Sequence, residues 1–190
     1  MTKRSVLMTG VSTGIGYHAA NALQARGWQV IATARSEDDL TRLRQEGLVA
    51  VRLDYTDEAS IHAALEETFN HTNGRLDALF NNGAYGQVGA LEDVSTQDLR
   101  AQFEANFFGW HTLTQAVLPT MRKQGRGRIV QCSSVLGFIA AAYRGPYIAS
   151  KFALEGYSDT LRTEVAQFGI NVISIQPGPI TSQFRATALA

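Results

Sequence analysis

Tyr147 and Lys151 stand four residues apart in the run Tyr147-Ile148-Ala149-Ser150-Lys151. On a helix that spacing sets a phenol and an ammonium on one face, one turn apart. A nearby ammonium favours the phenolate, so the tyrosine could exchange a proton nearer neutrality than its ordinary value of about 10. The pair alone carries little, because Tyr and Lys at helical spacing also meet by chance. A second stretch with chemical potential is Thr9-Gly10-Val11-Ser12-Thr13-Gly14-Ile15-Gly16. Its glycines permit a tight turn and a close backbone approach to a ligand, and a helix opening there would offer free N–H groups to a diphosphate. The spacing is G-x-x-x-G-x-G rather than the commonest dinucleotide fingerprint. Glycines that serve only the shape of the turn are the plain alternative.

Three further positions extend the nucleotide reading. Ala34-Arg35 stands where an acidic residue would bind the adenosine ribose and repel a 2′-phosphate. The Arg35 guanidinium can instead pair bidentately with phosphate, and Ser12 could add a hydroxyl, which favours NADP over NAD. The alternative for Arg35 is a solvated charge before a helix. Asp54 could accept from an adenine amino group or could cap the next turn, with Thr56 or Asp57 capping the helix that follows. Asn81-Asn82-Gly83-Ala84 closes a short apolar run, and such residues are also ordinary turn formers.

These groups need elements to position them, and the chain supplies an alternation. Apolar runs at 6–8, 28–33, 49–53, 78–80, 128–132 and 171–175 predict six strands. Helical periodicity at 15–26, 38–45, 58–70, 96–122 and 147–168 predicts helices, with glycines such as Gly27, Gly125 and Gly169 ending them. Alternation of this kind implies parallel strands with crossover helices, and near-continuous apolar strands imply a sheet covered on both faces. The expected fold is α/β, a doubly wound parallel sheet in a three-layer α/β/α domain over 1–190. A sheet of this type usually continues past its sixth strand, yet only 177–190 remain, so a C-terminal strand and substrate lid are expected to be missing from the chain.

Composition sets outer limits. The 190 residues are 45% hydrophobic and 18% charged, with 17 Lys plus Arg against 17 Asp plus Glu. Zero net charge argues against a general nucleic-acid binder. Cys132 is the single cysteine, which rules out an intrachain disulfide, and its apolar strand marks it as core. His18, His62, His71 and His111 lack metal-ligand spacing. No run approaches the ~18 apolar residues of a membrane span, nor does the N-terminal run reach the length of a signal peptide. A soluble, cytoplasmic protein without a metal or membrane partner is the expectation.

Taken together, Thr9-Gly10-x-x-x-Gly14-x-Gly16, Asn81-Asn82-Gly83, Asn106, Ser134, Tyr147-x-x-x-Lys151 and Pro177-Gly178 resemble the short-chain dehydrogenase/reductase superfamily, across positions 9–181. Asn-Asn-Gly-Ala stands where the family usually has Asn-Asn-Ala-Gly; both orders supply small residues. The resemblance implies a Rossmann-like strand order 3-2-1-4-5-6. It also implies an NADP(H)-dependent oxidoreductase interconverting a carbonyl and an alcohol. Tyr147 would be general acid or base, and Lys151 would tune it and hold the nicotinamide ribose. Ser134 would hold the substrate oxygen, and Asn106 would position a water on the lysine. The cofactor set would be Gly10, Ser12, Thr13, Gly14, Ile15, Gly16, Arg35, Asp54, Asn82, Gly83, Tyr147, Lys151, Pro177, Gly178, Ile180 and Thr181, the last two at the carboxamide. A homodimer or homotetramer is expected, with Phe103, Phe107 and Phe108 as core or subunit contacts. Apolar residues between Ser134 and Tyr147, with Tyr85, suggest an apolar small-molecule substrate, similar to hydroxysteroid or retinol dehydrogenase-like members. The competing expectation is an NADP(H)-binding sensor or interaction protein without turnover.

Overall fold

The computed structural model describes residues 3–180 and residue 184. Among the described residues, six parallel strands run β1 (Ser5–Met8), β2 (Gln29–Ala34), β3 (Val49–Arg52), β4 (Ala78–Asn81), β5 (Gly127–Cys132) and β6 (Ile170–Ile175). They lie in the order β3-β2-β1-β4-β5-β6, as expected. Strand order reverses between β1 and β4, which pair Val6 with Ala78 and Met8 with Phe80. A crevice opens at such a switch point, beyond the carboxyl ends of the two strands.

Alternating side chains feed two separate cores. Leu7, Ile31, Leu79 and Ile129 face one side and are fully buried under three helices, α3 (Glu58–Thr72), α5 (Gly109–Gln124) and α6 (Gly145–Val165). Val6, Met8, Val30 and Ala32 face the other side, under α1 (Gly14–Ala25) and α2 (Glu37–Gln45). Truncating a buried leucine such as Leu7 to alanine costs about 2–5 kcal/mol. Because every strand pairing is parallel, the carboxyl ends of the six described strands open on one side.

One expected element is not as the periodicity suggested. The single helix predicted over 96–122 is two helices, α4 (Thr96–Phe103) and α5, joined by a π-helical turn at Glu104–Phe108. A π turn adds one residue without breaking the apolar stripe, so Phe103 and Phe107 still read as one helical face. The turn carries the buried Asn106. The helix predicted over 147–168 begins earlier, at Gly145 with Pro146 in its first turn, and ends in a 3-10 turn at Ala166–Phe168. Gly169 then takes the left-handed conformation, at φ 70°.

Candidate active site

The glycine-rich turn is shaped by contacts a side chain would obstruct. Gly10 has φ +62°, and a Cβ there would stand 2.5 Å from the Gly83 Cα. A Cβ on Gly16 would overlap the Gly10 carbonyl oxygen, so Gly16 permits the close packing of α1 on the turn. Asn82 ties the turn to β4, its Nδ2 donating to the carbonyls of Thr9 and Gly10 at 3.1 Å each. Arg42 of α2 donates from Nη2 to the Ser12 carbonyl at 2.7 Å. Thr9 Oγ1 receives the Asn82 and Gly83 N–H groups at 2.8 and 3.2 Å and lies 2.6 Å from the Tyr55 hydroxyl. Tyr55 donates to Asn81 Oδ1, and Asn81 Nδ2 donates to Thr114 and Gln131. Full burial pushes the Tyr55 phenol well above its ordinary value, so it stays neutral and structural.

Helix α1, like α6, has no side-chain cap at its N-terminus. Helices α2, α3 and α4 are capped by their own side chains, from Ser36, Asp57 and Ser95 respectively. Thr13 at the start of α1 makes no side-chain cap bond, and the first turn carries no acid. Its N–H groups and positive dipole end are therefore open toward the crevice, an arrangement suited to a diphosphate.

The reaction end is built on β5 and α6. Lys151 is 1% exposed, donates from Nζ to the Cys132 carbonyl at 2.8 Å, and stands 4.4 Å from the Trp110 ring centroid. Burial lowers its pKa to about 8. Its ammonium also lies 5.6 Å from the Tyr147 ring centroid. Tyr147 departs from expectation, because burial pushes its phenol up, with the Ser134 hydroxyl partly offsetting the rise. The lysine does not dominate, since its hydrogen bond goes to the Cys132 carbonyl and its ammonium lies nearer the Trp110 ring than the Tyr147 ring. Ser134 begins a 3-10 turn and its Oγ accepts from the Leu136 N–H at 3.1 Å. Asn106 is fully buried and donates to the Tyr85 carbonyl at 2.8 Å and to Ser150 Oγ at 3.4 Å.

The short chain dehydrogenase family profile matches residues 4–190. The chain belongs to the short-chain dehydrogenase/reductase family. It is 43% identical over 182 residues to the uncharacterized oxidoreductase YbbO of Escherichia coli, covering 96% of this chain and 68% of that one. It is 38% identical over 185 residues to a 3-ketodihydrosphingosine reductase of Bacteroides thetaiotaomicron, covering 97% and 66%. The crystal structure of an actinorhodin polyketide ketoreductase variant with NADPH superposes with a TM-score of 0.89 at 30% identity, covering 95% of this chain and 72% of that one. The chain thus spans about two thirds of the length of these proteins.

In this short-chain dehydrogenase a cleft of about 490 Å³ runs along the carboxyl ends of β1 and β4. Gly10, Ser12, Thr13, Gly14 and Ile15 line one end; Ser134, Tyr147 and Lys151 line the other. Arg35, Asp54, Asn82, Gly83, Pro177, Gly178 and Ile180 also border it. Thr181 lies outside the described residues. Gly16 and Asn106 are not on the cleft wall: Gly16 packs behind the turn, and Asn106 acts on the Tyr85 backbone from behind. Asp54 serves as a turn cap, its Oδ1 accepting from the Thr56 N–H and hydroxyl. Burial raises its pKa, but these Thr56 bonds, with Arg35 and Arg52, outweigh it and hold the carboxyl below its usual value. Asp57, not Thr56, caps α3. Cys132 is buried as expected for core, yet it borders the cleft and supplies the carbonyl that holds Lys151.

Sequence reasoning missed Gln102, a fully buried amide on α4 that bonds the Tyr85–Gln87 backbone. Its only sequence signal was its place four residues before Asn106. Phe184, whose ring centroid lies 5.4 Å from that of Tyr147, was also missed.

Proposed function

We propose that this protein uses NADP(H) to interconvert an aldehyde or ketone and the corresponding alcohol on an apolar substrate. The observation that carries the reading is the convergence of Tyr147, Lys151 and Ser134 at one end of a cleft whose other end is an uncapped helix N-terminus behind a glycine turn. The cradle fits a dinucleotide. Backbone rather than side chain forms its floor, because Gly10 leaves no room for a Cβ against Gly83. The turn and α1 would hold the diphosphate, while Lys151 would hold the nicotinamide ribose beside Tyr147. Exposed Arg35, with Ser12 nearby on the turn, would pair with a 2′-phosphate, and Ala34 offers no carboxylate to repel it. The NADPH carried by the ketoreductase structure supports the same preference.

Bound NADPH supplies the hydride for the carbonyl carbon. Ser134 Oγ donates to the carbonyl oxygen and fixes the face presented, and the Tyr147 hydroxyl gives that oxygen its proton. Tyr147 is left as phenolate, the form that the buried Lys151 ammonium favours and that burial disfavours. Oxidation of the alcohol runs the same steps backward. Val135, Leu136 and Ala141 on the segment between Ser134 and Tyr147, with Tyr85, line the cleft and give the substrate end its apolar character. Exposed Phe108 and Phe152 on the outer faces of the π turn and α6 suit a homo-oligomer contact. The direct test is NADPH oxidation with a panel of aliphatic aldehydes and ketones. No turnover by a protein that binds NADPH would overturn the reading in favour of a sensor or interaction role.

A further inference from the structure

Gln102 takes no part in the steps above, yet both polar atoms of its buried side chain are spent on one loop. Its Nε2 donates to the Tyr85 carbonyl at 2.9 Å and its Oε1 accepts from the Gln87 N–H at 2.7 Å. Asn106 adds a second bond to the Tyr85 carbonyl and accepts from the Tyr85 N–H at 3.2 Å. Burying two amides is unfavourable unless their polar atoms are matched, and here all four sites are matched to a three-residue stretch of backbone. Such a loop cannot shift without orphaning several groups at once.

The stretch so held is a wall of the reaction end. Tyr85 lines the cleft, and Gly86 is buried between Tyr147 and Phe184. A Cβ on Gly86 would stand 3.6 Å from Tyr147 Cδ2 and 3.3 Å from the Phe184 ring. Asn106 also reaches Ser150 Oγ, which donates to the Tyr147 carbonyl at 2.7 Å. The two amides therefore reference the loop to the helix that carries the tyrosine.

We propose that Gln102 is a positioning residue that, with Asn106, seats the Tyr85–Gln87 loop against the Tyr147 ring and thereby sets which carbonyl substrates fit. It touches neither substrate nor cofactor and acts through Tyr85 and Gly86. The proposal rests on the carbonyl-reductase reading above. Removing one amide loosens the wall, leaving the turn, α1 and Arg35 as they were.

The test compares wild type with Gln102→Met, which keeps side-chain length, and with Gly86→Ala, which buries no new polar atom and presses the loop from its cleft side. Each is assayed for aldehydes from butanal to dodecanal, with NADPH affinity followed by fluorescence titration. Both variants are expected to raise KM and to change the long-chain to short-chain ratio of kcat/KM by roughly ten-fold, a size typical of a displaced positioning group. NADPH affinity should stay within about two-fold of wild type. Unchanged ratios in folded variants would overturn the proposal. So would an equal loss for every aldehyde with weakened NADPH binding, since that pattern marks a general structural role. If Gln102→Met fails to fold, Gln102→Glu, which keeps an acceptor for the Gln87 N–H and loses the donor to the Tyr85 carbonyl, decides by the same two readouts. A wild type that binds NADPH yet reduces no aldehyde or ketone removes the reductase reading itself, and this proposal with it.

Discussion

The two ends of the cleft are made differently. At the glycine turn the surroundings are small residues and backbone, and side chains such as Asn82, Arg42 and Thr9 spend their polar atoms fixing that backbone. At the reaction end, Val135, Leu136, Ala141 and Tyr85 line the cleft, and Leu91, Phe138, Ile139 and Tyr143 on the adjoining chain segments are each more than half exposed. Their loops meet through few backbone contacts, among them the Gly89 N–H to the Tyr143 carbonyl at 3.1 Å. One end is part of the fold, fixed by packing that tolerates no extra atom. The other, apart from the pinned Tyr85–Gln87 stretch, is a set of apolar side chains carried on loops, free to differ in shape while the sheet stays the same. Tyr147 and Lys151 sit at the border, buried like the first region and facing the second.

The largest effect should come from the border. Tyr147→Phe removes the transferable proton and keeps the ring that packs near Phe184. Turnover is expected to fall about 10²–10⁴-fold, the range for a lost general acid, while NADPH titration stays unchanged. Retained turnover would show that another group delivers the proton and that the border is misplaced.

Gly10→Ala probes the fixed end. The positive φ costs an alanine roughly 1–2 kcal/mol, and the contact with Gly83 adds about 1–3 kcal/mol of overpacking. Gly47→Ala is the control: it also has positive φ, at +85°, but no atom lies within 4 Å of its Cβ position. Urea denaturation should show Gly10→Ala the more damaging by the overpacking share alone. Equal losses would mean that the turn has slack and that the contrast between the two ends is weaker than drawn.

Arg35→Asp tests what the fixed end selects. Losing a charged hydrogen bond costs about 1.5–3 kcal/mol. The NADPH to NADH ratio of kcat/KM should therefore drop roughly ten- to a hundred-fold. An unmoved ratio would return Arg35 to the role of a solvated charge.

How far the sequence disclosed this contrast follows from the physics of each part. Strand and helix periodicity, and the glycines that end helices, are local signals, so nearly every element was legible, whereas the sheet order came only with the family resemblance. The turn was legible because Gly10 and Gly16 are required by backbone approach, which leaves a trace in residue type. The π turn was not, since Phe103 and Phe107 keep the apolar stripe of a single helix through it. Gln102 was hidden for a related reason: a glutamine on a helix ordinarily faces water, and only the tertiary position of the Tyr85 loop turns it inward. Asp54 stayed open because an acid after a strand serves a ligand or a turn equally well; the structure shows the turn bond to Thr56. The Tyr147 phenol was misjudged because residue spacing reports a nearby ammonium but not the burial that opposes it.

Lys151 gives a pH signature of that burial. Its folded pKa of about 8 lies below its ordinary 10.5. Below pH 8 the group is charged in both states and adds no slope. From about pH 8 to 10.5 the unfolded chain holds more protons than the folded one, so this group stabilises the fold as pH rises. Other buried acids, Cys132 and Tyr147 among them, push the opposite way, so the readout is the difference between wild type and Lys151→Met. Any stability advantage of Lys151→Met is expected to narrow across that window in urea titrations. A difference that is flat with pH would place the lysine in wet surroundings.

The smallest effect is expected at the rim, and it bears most directly on the contrast. Tyr143 adopts a left-handed backbone, φ 62°, although it is not glycine, and its side chain is 66% exposed. That conformation costs most residues roughly 1–2 kcal/mol, whereas asparagine tolerates it. The side chain packs on little, so it does not repay the cost in the fold. Tyr143→Asn keeps the backbone carbonyl that receives the Gly89 N–H, and it should raise stability by up to about 1 kcal/mol. Neither NADPH affinity nor KM should move, because Tyr143 is not among the residues that line the cleft. A loss of stability in Tyr143→Asn would show that the rim is packed as tightly as the turn. The strain at Tyr143 would then serve the fold, and the division between a fixed end and a free end would have to move outward past residue 143.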